Sequence, residues 1–159
     1  MALLDGERNT LLLCITCFLM GMIVMGLVMY LIPPPEKHVI LTKKAPSPIG
    51  PYSQAVHFDN LVYTSGQIGI DPETGNLSGT INGQTVQAMK NLQGILEESG
   101  LDFSDVIVTR IYLANMSDYS TVNEVYAQYM GNSSPARSTV QVAGLPRGAM
   151  VEIEMTAQD

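Results

Sequence analysis

The sequence predicts an α+β domain, a mixed sheet with two helices on one face, preceded by a single transmembrane helix. Three observations carry that prediction. Leu11 to Ile32 is a run of 22 residues without a charge. Two later segments repeat apolar residues at three- and four-residue steps, the spacing of one helix face. Between and around them lie short segments that are rich in β-branched residues or alternate apolar with polar, bounded by Gly, Pro, Asp and Asn. A chain of 159 residues holds one such domain with an appendage.

The apolar run comes first. A helix of that length rises roughly 33 Å, enough to cross a hydrocarbon core about 30 Å thick. A secretory signal peptide is the rival reading, with an apolar region of about 7–15 residues before a small-residue cleavage site. Here the run is longer and ends in Tyr30-Leu31-Ile32-Pro33-Pro34-Pro35. The expected division is a short tail over 1–10, a transmembrane helix over 11–32, a proline-rich linker over 33–38 and a folded domain over 39–159. Arg8 stands alone before the span, whereas Lys37, Lys43 and Lys44 follow it. That bias orients a single-pass protein with its domain in the cytosol. Asn76, Asn115 and Asn132 begin Asn-x-Ser sequons, chance occurrences for a cytosolic domain and glycosylation sites for a lumenal one. Cys14 and Cys17 lie inside the apolar run, away from the strand-to-helix turn that a redox C-x-x-C requires, and read as small buried side chains.

Within the domain, Val39-Ile40-Leu41 begins the first strand, and Ala45 to Tyr52 holds too many prolines for a helix or an inner strand. Gln54 to Phe58 and Leu61 to Ser65 form a strand pair that turns through Asp59-Asn60. Gly66, Gly69, Gly75, Gly79 and Gly83 then punctuate a long loop. Asn82 to Ser99 is helical, with Val86, Met89, Leu92, Ile95 and Leu96 on one face and Gly100 as the stop. Val106 to Ala114 reads as a central strand. Ser117 to Met130 is the second helix, its Tyr119, Val122, Tyr126 and Tyr129 forming a core stripe. Ser138 to Ala143 and Met150 to Ala157 close the sheet. In the last strand Val151, Ile153 and Met155 face the helices, while Glu152, Glu154 and Thr156 share the opposite face. Thr139 and Gln141 are expected to join that polar face, with Val140 and Val142 turned inward. Such a face is left to water or to other subunits.

Charge narrows the chemistry. From Pro46 onward four basic residues, Lys90, Arg110, Arg137 and Arg147, stand against twelve acidic ones, a net charge of −8. Nucleic-acid binding is not expected, because a phosphate footprint needs clustered Lys and Arg. His38 and His57 have no ligand partners at metal spacing, and with no cysteine in the domain there is no thiolate nucleophile. What remains is Arg137 with Glu152 fifteen residues later, a cation able to hold an acid and a carboxylate able to activate water. Taken alone, the pair reads equally well as a structural ion pair of Arg137 with Glu152 or Glu154.

Five blocks in order decide between these readings. They are Ile49-Gly50-Pro51-Tyr52-Ser53-Gln54, Thr64-Ser65-Gly66-Gln67-Ile68, Thr121-Val122-Asn123, Pro135-Ala136-Arg137-Ser138, and Leu145-Pro146-Arg147-Gly148 with Val151-Glu152-Ile153-Glu154. Together they resemble the RidA (YjgF) family of enamine and imine deaminases over nearly all of Val39 to Ala157. The resemblance implies a chorismate-mutase-like fold assembled as a homotrimer, with active sites in the clefts between subunits. It also implies hydrolysis of reactive 2-imino acids to 2-oxo acids and ammonia, with no metal and no cofactor. By motif position, Arg137 would grip the substrate carboxylate and Glu152 would activate water. Tyr52, Ser65, Gly66 and Asn123 would complete the pocket, and Thr139 would contribute its backbone carbonyl where the family often has cysteine. The membrane segment departs from the soluble pattern of the family. Two other roles stay in view: a non-catalytic, membrane-anchored binding module, and the ribonuclease or translation-inhibitor activity ascribed to some relatives, which the acidic balance opposes.

Overall fold

A computed structural model describes residues 2–31 and 36–159. Ile32 and the expected linker residues Pro33 to Pro35 lie outside that range. The chain divides after Pro35 into two units. The first is a single helix, α1 (Ala2–Leu31), within which Thr10–Leu31 has a mean hydropathy of 2.7. By length and composition it is able to cross a membrane.

The second unit carries a seven-stranded mixed sheet and two further helices. In chain order these are β1 (Lys37–Ile40), β2 (Ala55–Phe58), β3 (Leu61–Thr64), β4 (Gln67–Ile68), α2 (Ile81–Glu98), β5 (Val106–Leu113), α3 (Tyr119–Met130), β6 (Ala136–Gln141) and β7 (Val151–Gln158). The sheet order is β1-β2-β3-β7-β5-β6, with the short β4 also paired to β7. All pairs are antiparallel except β5 with β6, and that pair needs a crossover, which α3 supplies. Local chemistry explains the ends. Thr80 caps α2 by accepting from Gly83 N at 3.1 Å. Gly100, at φ 78, lets the chain leave α2 in the left-handed region. Asp59, at φ 57, makes the β2–β3 turn.

The core lies between the sheet and the two helices. Met89, Leu92 and Leu96 of α2, with Val122 and Tyr126 of α3, pack on Val151, Ile153 and Met155 of β7. The apolar face expected of β7 therefore meets the helices, leaving Glu152 and Glu154 on the open side. Most boundaries fall within two residues of expectation. The short strand β4 is an addition, formed inside the stretch expected to be a glycine-punctuated loop.

Two expectations are corrected. Strand β6 begins at Ala136, and its faces are the reverse of those anticipated. Thr139 aligns with Ile111, itself aligned with Ile153, on the core side; Val140 aligns with Tyr112, itself aligned with Glu152, on the open side, where Val140 is 46% exposed. A one-residue shift exchanges every side chain between faces. An edge strand with one true hydrophobe, Val140, offers little pattern to decide the register. The second correction concerns Tyr119, expected in the core but 42% exposed and turned to Arg137. Tyr126 is buried as expected, and Tyr129 packs edge-on against Phe103 at 5.9 Å between ring centres.

Candidate active site

The site residues fall into two groups, one on each face of the sheet. The first lines a cavity of about 760 Å³ with Tyr52, Ser65, Gly66 and Glu152 in its wall, joined by Glu154 and Arg147. Glu152 reaches it because β7 turns its even positions away from the helices. The carboxylate lies directly over Gly66, where any Cβ would overlap Glu152 Oε1. Glycine at that position is thus a demand of the site, not of the backbone. Burial raises the Glu152 pKa from its ordinary value, and the charge of Glu154 adds to the shift. Glu154 is itself engaged: Arg110 Nη1 donates to it at 3.0 Å and the Tyr112 hydroxyl at 3.3 Å.

The surrounding loops are held by buried amides. Gln54, 2% exposed, donates to the carbonyls of Ala45 and Pro46 and accepts from Thr42 N at 2.7 Å, shaping the proline-rich loop beside Tyr52. The Ser65 hydroxyl donates to Ser53 O at 2.6 Å, so its hydrogen is committed and its oxygen is left as an acceptor. From α2, Gln84 accepts from Met150 N at 2.7 Å and donates to Ser78 O at 2.8 Å. Asn91 donates to the carbonyls of Ile68 and Ile70. Arg147, in the left-handed region at φ 57, donates to Gly75 O at 3.2 Å and links the same two loops at the mouth. Sequence reasoning gave no role to Gln54, Gln84, Asn91 or Arg147. The available signal was polar residues on the apolar face of α2, since Gln84 and Asn91 alternate helically with Ala88 and Leu92.

The second group is built on β6 and α3. Arg137 aligns with Thr109 and through it with Met155, so its side chain lies on the helix side of the sheet edge. Its guanidinium carbon sits 4.9 Å from the centre of the Tyr126 ring, and Nη2 donates to the Tyr119 hydroxyl at 3.2 Å. Thr139 occupies the same side of β6 two residues on. Asn123 lies on α3 between Tyr119 and Tyr126 by helical spacing.

Arg137 and Glu152 are therefore not neighbours within one chain. They project to opposite faces, separated by roughly 10 Å across two strand spacings and about 10 Å along the strand direction. The ion-pair reading fails as well: Glu154 is paired with Arg110, and among the described residues Arg137 makes no ion pair. One half-site offers a cation with its charge uncompensated, the other a partly buried carboxylate beside a hydroxyl acceptor.

Comparison with known proteins identifies the family of this domain. The family described as Endoribonuclease L-PSP matches residues 42–159. The 2-iminobutanoate/2-iminopropanoate deaminase of Mus musculus is 52% identical over 122 residues, which cover 76% of this chain and 90% of that protein. Reactive Intermediate Deaminase A, chloroplastic, of Arabidopsis thaliana is 51% identical over 123 residues, covering 77% of this chain and 66% of that protein. Among solved structures, E. coli TdcF with bound serine superposes with a TM-score of 0.74 at 37% identity, covering 77% of this chain and 98% of that one. Through residues 42–159 the chain belongs to the endoribonuclease L-PSP family, the RidA proteins that its five sequence blocks resemble.

Proposed function

We propose that the chain is a hydrolytic deaminase that converts small, reactive 2-imino acids, such as 2-iminobutyrate and 2-iminopropionate, to 2-oxo acids and ammonia. The observation that carries this reading is the pair of half-sites: a guanidinium that makes no ion pair among the described residues and suits a carboxylate, and a carboxylate of raised pKa suited to proton transfer. The names of the relatives point the same way.

The guanidinium of Arg137 presents two parallel donors to the substrate carboxylate, each such bond contributing about 1.5–3 kcal/mol. With the acid held, the imine carbon faces Glu152, and the imine N–H meets the Ser65 oxygen, whose own hydrogen is bound elsewhere. Glu152 takes a proton from water as the water oxygen bonds to the imine carbon, and the C=N electron pair moves to nitrogen. Returned to that nitrogen, the proton gives a carbinolamine; Glu152 then takes the proton of the new hydroxyl and passes it to the same nitrogen, so that the C–N bond can break. Ammonia leaves, the C=O bond forms, and one water has been consumed. A carboxylate with its pKa moved toward neutrality serves in both directions, and such general acid–base help is worth about 10²–10⁴-fold. Side chains and water suffice.

One substrate reaches both half-sites only when a second copy brings its Arg137 to this copy's Glu152. We place this in a homotrimer with three sites at its seams, its subunits covering the open sheet face, where Val39 is 53% and Tyr63 45% exposed. Residues 11–32 anchor each subunit in a membrane with the domain in the cytosol. Resistance to alkaline extraction with no glycosidase-sensitive shift supports that topology, and removal of the segment by processing opposes it. RNA cleavage is not proposed, given the charge of −8 from Pro46 onward.

The test is formation of ammonia and 2-oxo acid by the full chain in mild detergent, with imines generated in situ, beside Arg137→Ala and Glu152→Gln. Turnover abolished by both substitutions supports the proposal. A rate no greater than the spontaneous background, from folded protein that still binds a 2-oxo acid, leaves the non-catalytic binding module instead.

A further inference from the structure

We infer that Tyr119 and Tyr126 of α3 hold Arg137 in position for the substrate carboxylate, and that the Tyr119 hydroxyl is a second donor to that carboxylate. The inference rests on the reading of Arg137 as the anion-binding group. Arginine is long and flexible, so an anion site built on it needs something to orient the guanidinium before substrate arrives. Proteins commonly use a carboxylate for this, at the cost of neutralising the charge the substrate requires. Here the orienting groups are aromatic. Arg137 stacks at 4.9 Å on the Tyr126 ring, lies 6.0 Å from the centre of the Tyr119 ring, and donates to the Tyr119 hydroxyl at 3.2 Å. A ring face attracts the cation without cancelling its charge.

The platform is itself anchored. Tyr126 is 6% exposed, and its hydroxyl donates at 3.0 Å to Thr109 Oγ1 on β5, a residue with no exposed surface that aligns with Arg137. The guanidinium is thus referenced to the strand beside its own. Tyr119 stands two helical turns before Tyr126 on the same side of α3, and at 42% exposed it has access to a ligand that Tyr126 lacks. Because the Tyr119 oxygen accepts from Arg137, its hydrogen remains free to donate, and an oxygen of the anion bound by Arg137 is the acceptor in reach. Tyr126 is on this reading a positioning residue, and Tyr119 both positions and binds.

The experiment compares Tyr119→Phe, Tyr126→Phe and Tyr126→Leu in the full chain in mild detergent. It reads kcat and KM for 2-iminobutyrate generated in situ, and the Kd of 2-oxobutyrate, a stable acid, by calorimetry. Tyr119→Phe should raise KM and Kd about 3–10-fold, the effect of losing one hydrogen bond, with kcat within about twofold. Tyr126→Phe keeps the ring face and should stay within about twofold in KM, whereas Tyr126→Leu should raise it about 5–30-fold. Unchanged KM and Kd in Tyr119→Phe would overturn the donor role. A fall in kcat at constant KM would overturn it too. Should Tyr126→Leu not fold, the exposed Tyr119 still decides. Wild-type protein that binds 2-oxobutyrate without turnover would defeat the proposed function while the Kd series continues to judge this inference. Failure of the wild-type chain to bind the acid at all would overturn this inference, while turnover continues to judge the proposed function.

Discussion

Gly66→Ala isolates the working position of Glu152 from its chemistry. An added Cβ would overlap Glu152 Oε1 and stand 2.7 Å from Cδ and 2.9 Å from Cγ, whereas ordinary contact begins at 3.4 Å. The carboxyl end must therefore move by about 1–1.5 Å or change rotamer. Gly66 is outside the left-handed region, so alanine fits the backbone, and loss of unfolded-state freedom returns about 0.4–1 kcal/mol. Stability should change little, since what yields is the tip of a flexible side chain. With Glu152 in its proposed role activity should not be spared: displacement of a catalytic group by that distance costs about 10²-fold in kcat, or about 2.7 kcal/mol. KM should stay within about threefold, because the Arg137 half is untouched. Ammonia release by the full chain measures both constants, with Tm as the control. Shortening the side chain in Gly66→Ala/Glu152→Asp should recover more activity than the two single losses predict. Wild-type kcat in Gly66→Ala would refute the placement of the reactive carboxylate over this glycine.

Other substitutions probe the remaining parts. Because burial and then Glu154 raise the Glu152 pKa, the folded chain holds that proton more tightly than the unfolded one, and ionised Glu152 is a cost to stability above the folded pKa that vanishes as pH falls below the unfolded value. Glu152→Gln should accordingly raise Tm at neutral pH, lose that advantage in acid, and be inactive; a Tm gain independent of pH would contradict the assignment. Arg137→Lys keeps the charge but loses the fork, and should raise KM about tenfold with a smaller change in kcat, as read by steady-state kinetics. Gln84→Ala leaves Met150 N and Ser78 O without partners and should destabilise by about 1–3 kcal/mol in thermal unfolding, with kcat falling as the two loops loosen.

Elements with strong periodicity were legible in advance. Helix α2 announces itself through Met89, Leu92, Ile95 and Leu96, and β7 through the alternation of Val151 to Thr156, which places Glu152 on the open face. The faces of β6 were not legible, since Ala136 to Gln141 carries one hydrophobe and takes its register from β5 and from the seating of Arg137 on α3. The same long-range pairing explains why Arg137 and Glu152, close in sequence and matched in chemistry, do not meet. Sequence separation says nothing of the strand placed between them. Tyr119 followed the helical stripe of α3, yet at the first turn that stripe has passed beyond the core and reaches the sheet edge. Gln84 and Asn91 interrupt an apolar face because their partners are loop carbonyls and amides, which no residue pattern records.

The most direct test of the composite site is mixing two inactive chains. Arg137→Ala and Glu152→Gln, each assayed alone in the full chain, should show no turnover of 2-iminobutyrate. Co-expressed in equal amounts and purified together, they should form the proposed trimers, in which some seams join an intact Arg137 from one copy to an intact Glu152 from the next. With random assembly about a quarter of the seams are complete, so activity should return to about a quarter of wild type. Mixed trimers as inactive as either parent would contradict a site shared between copies.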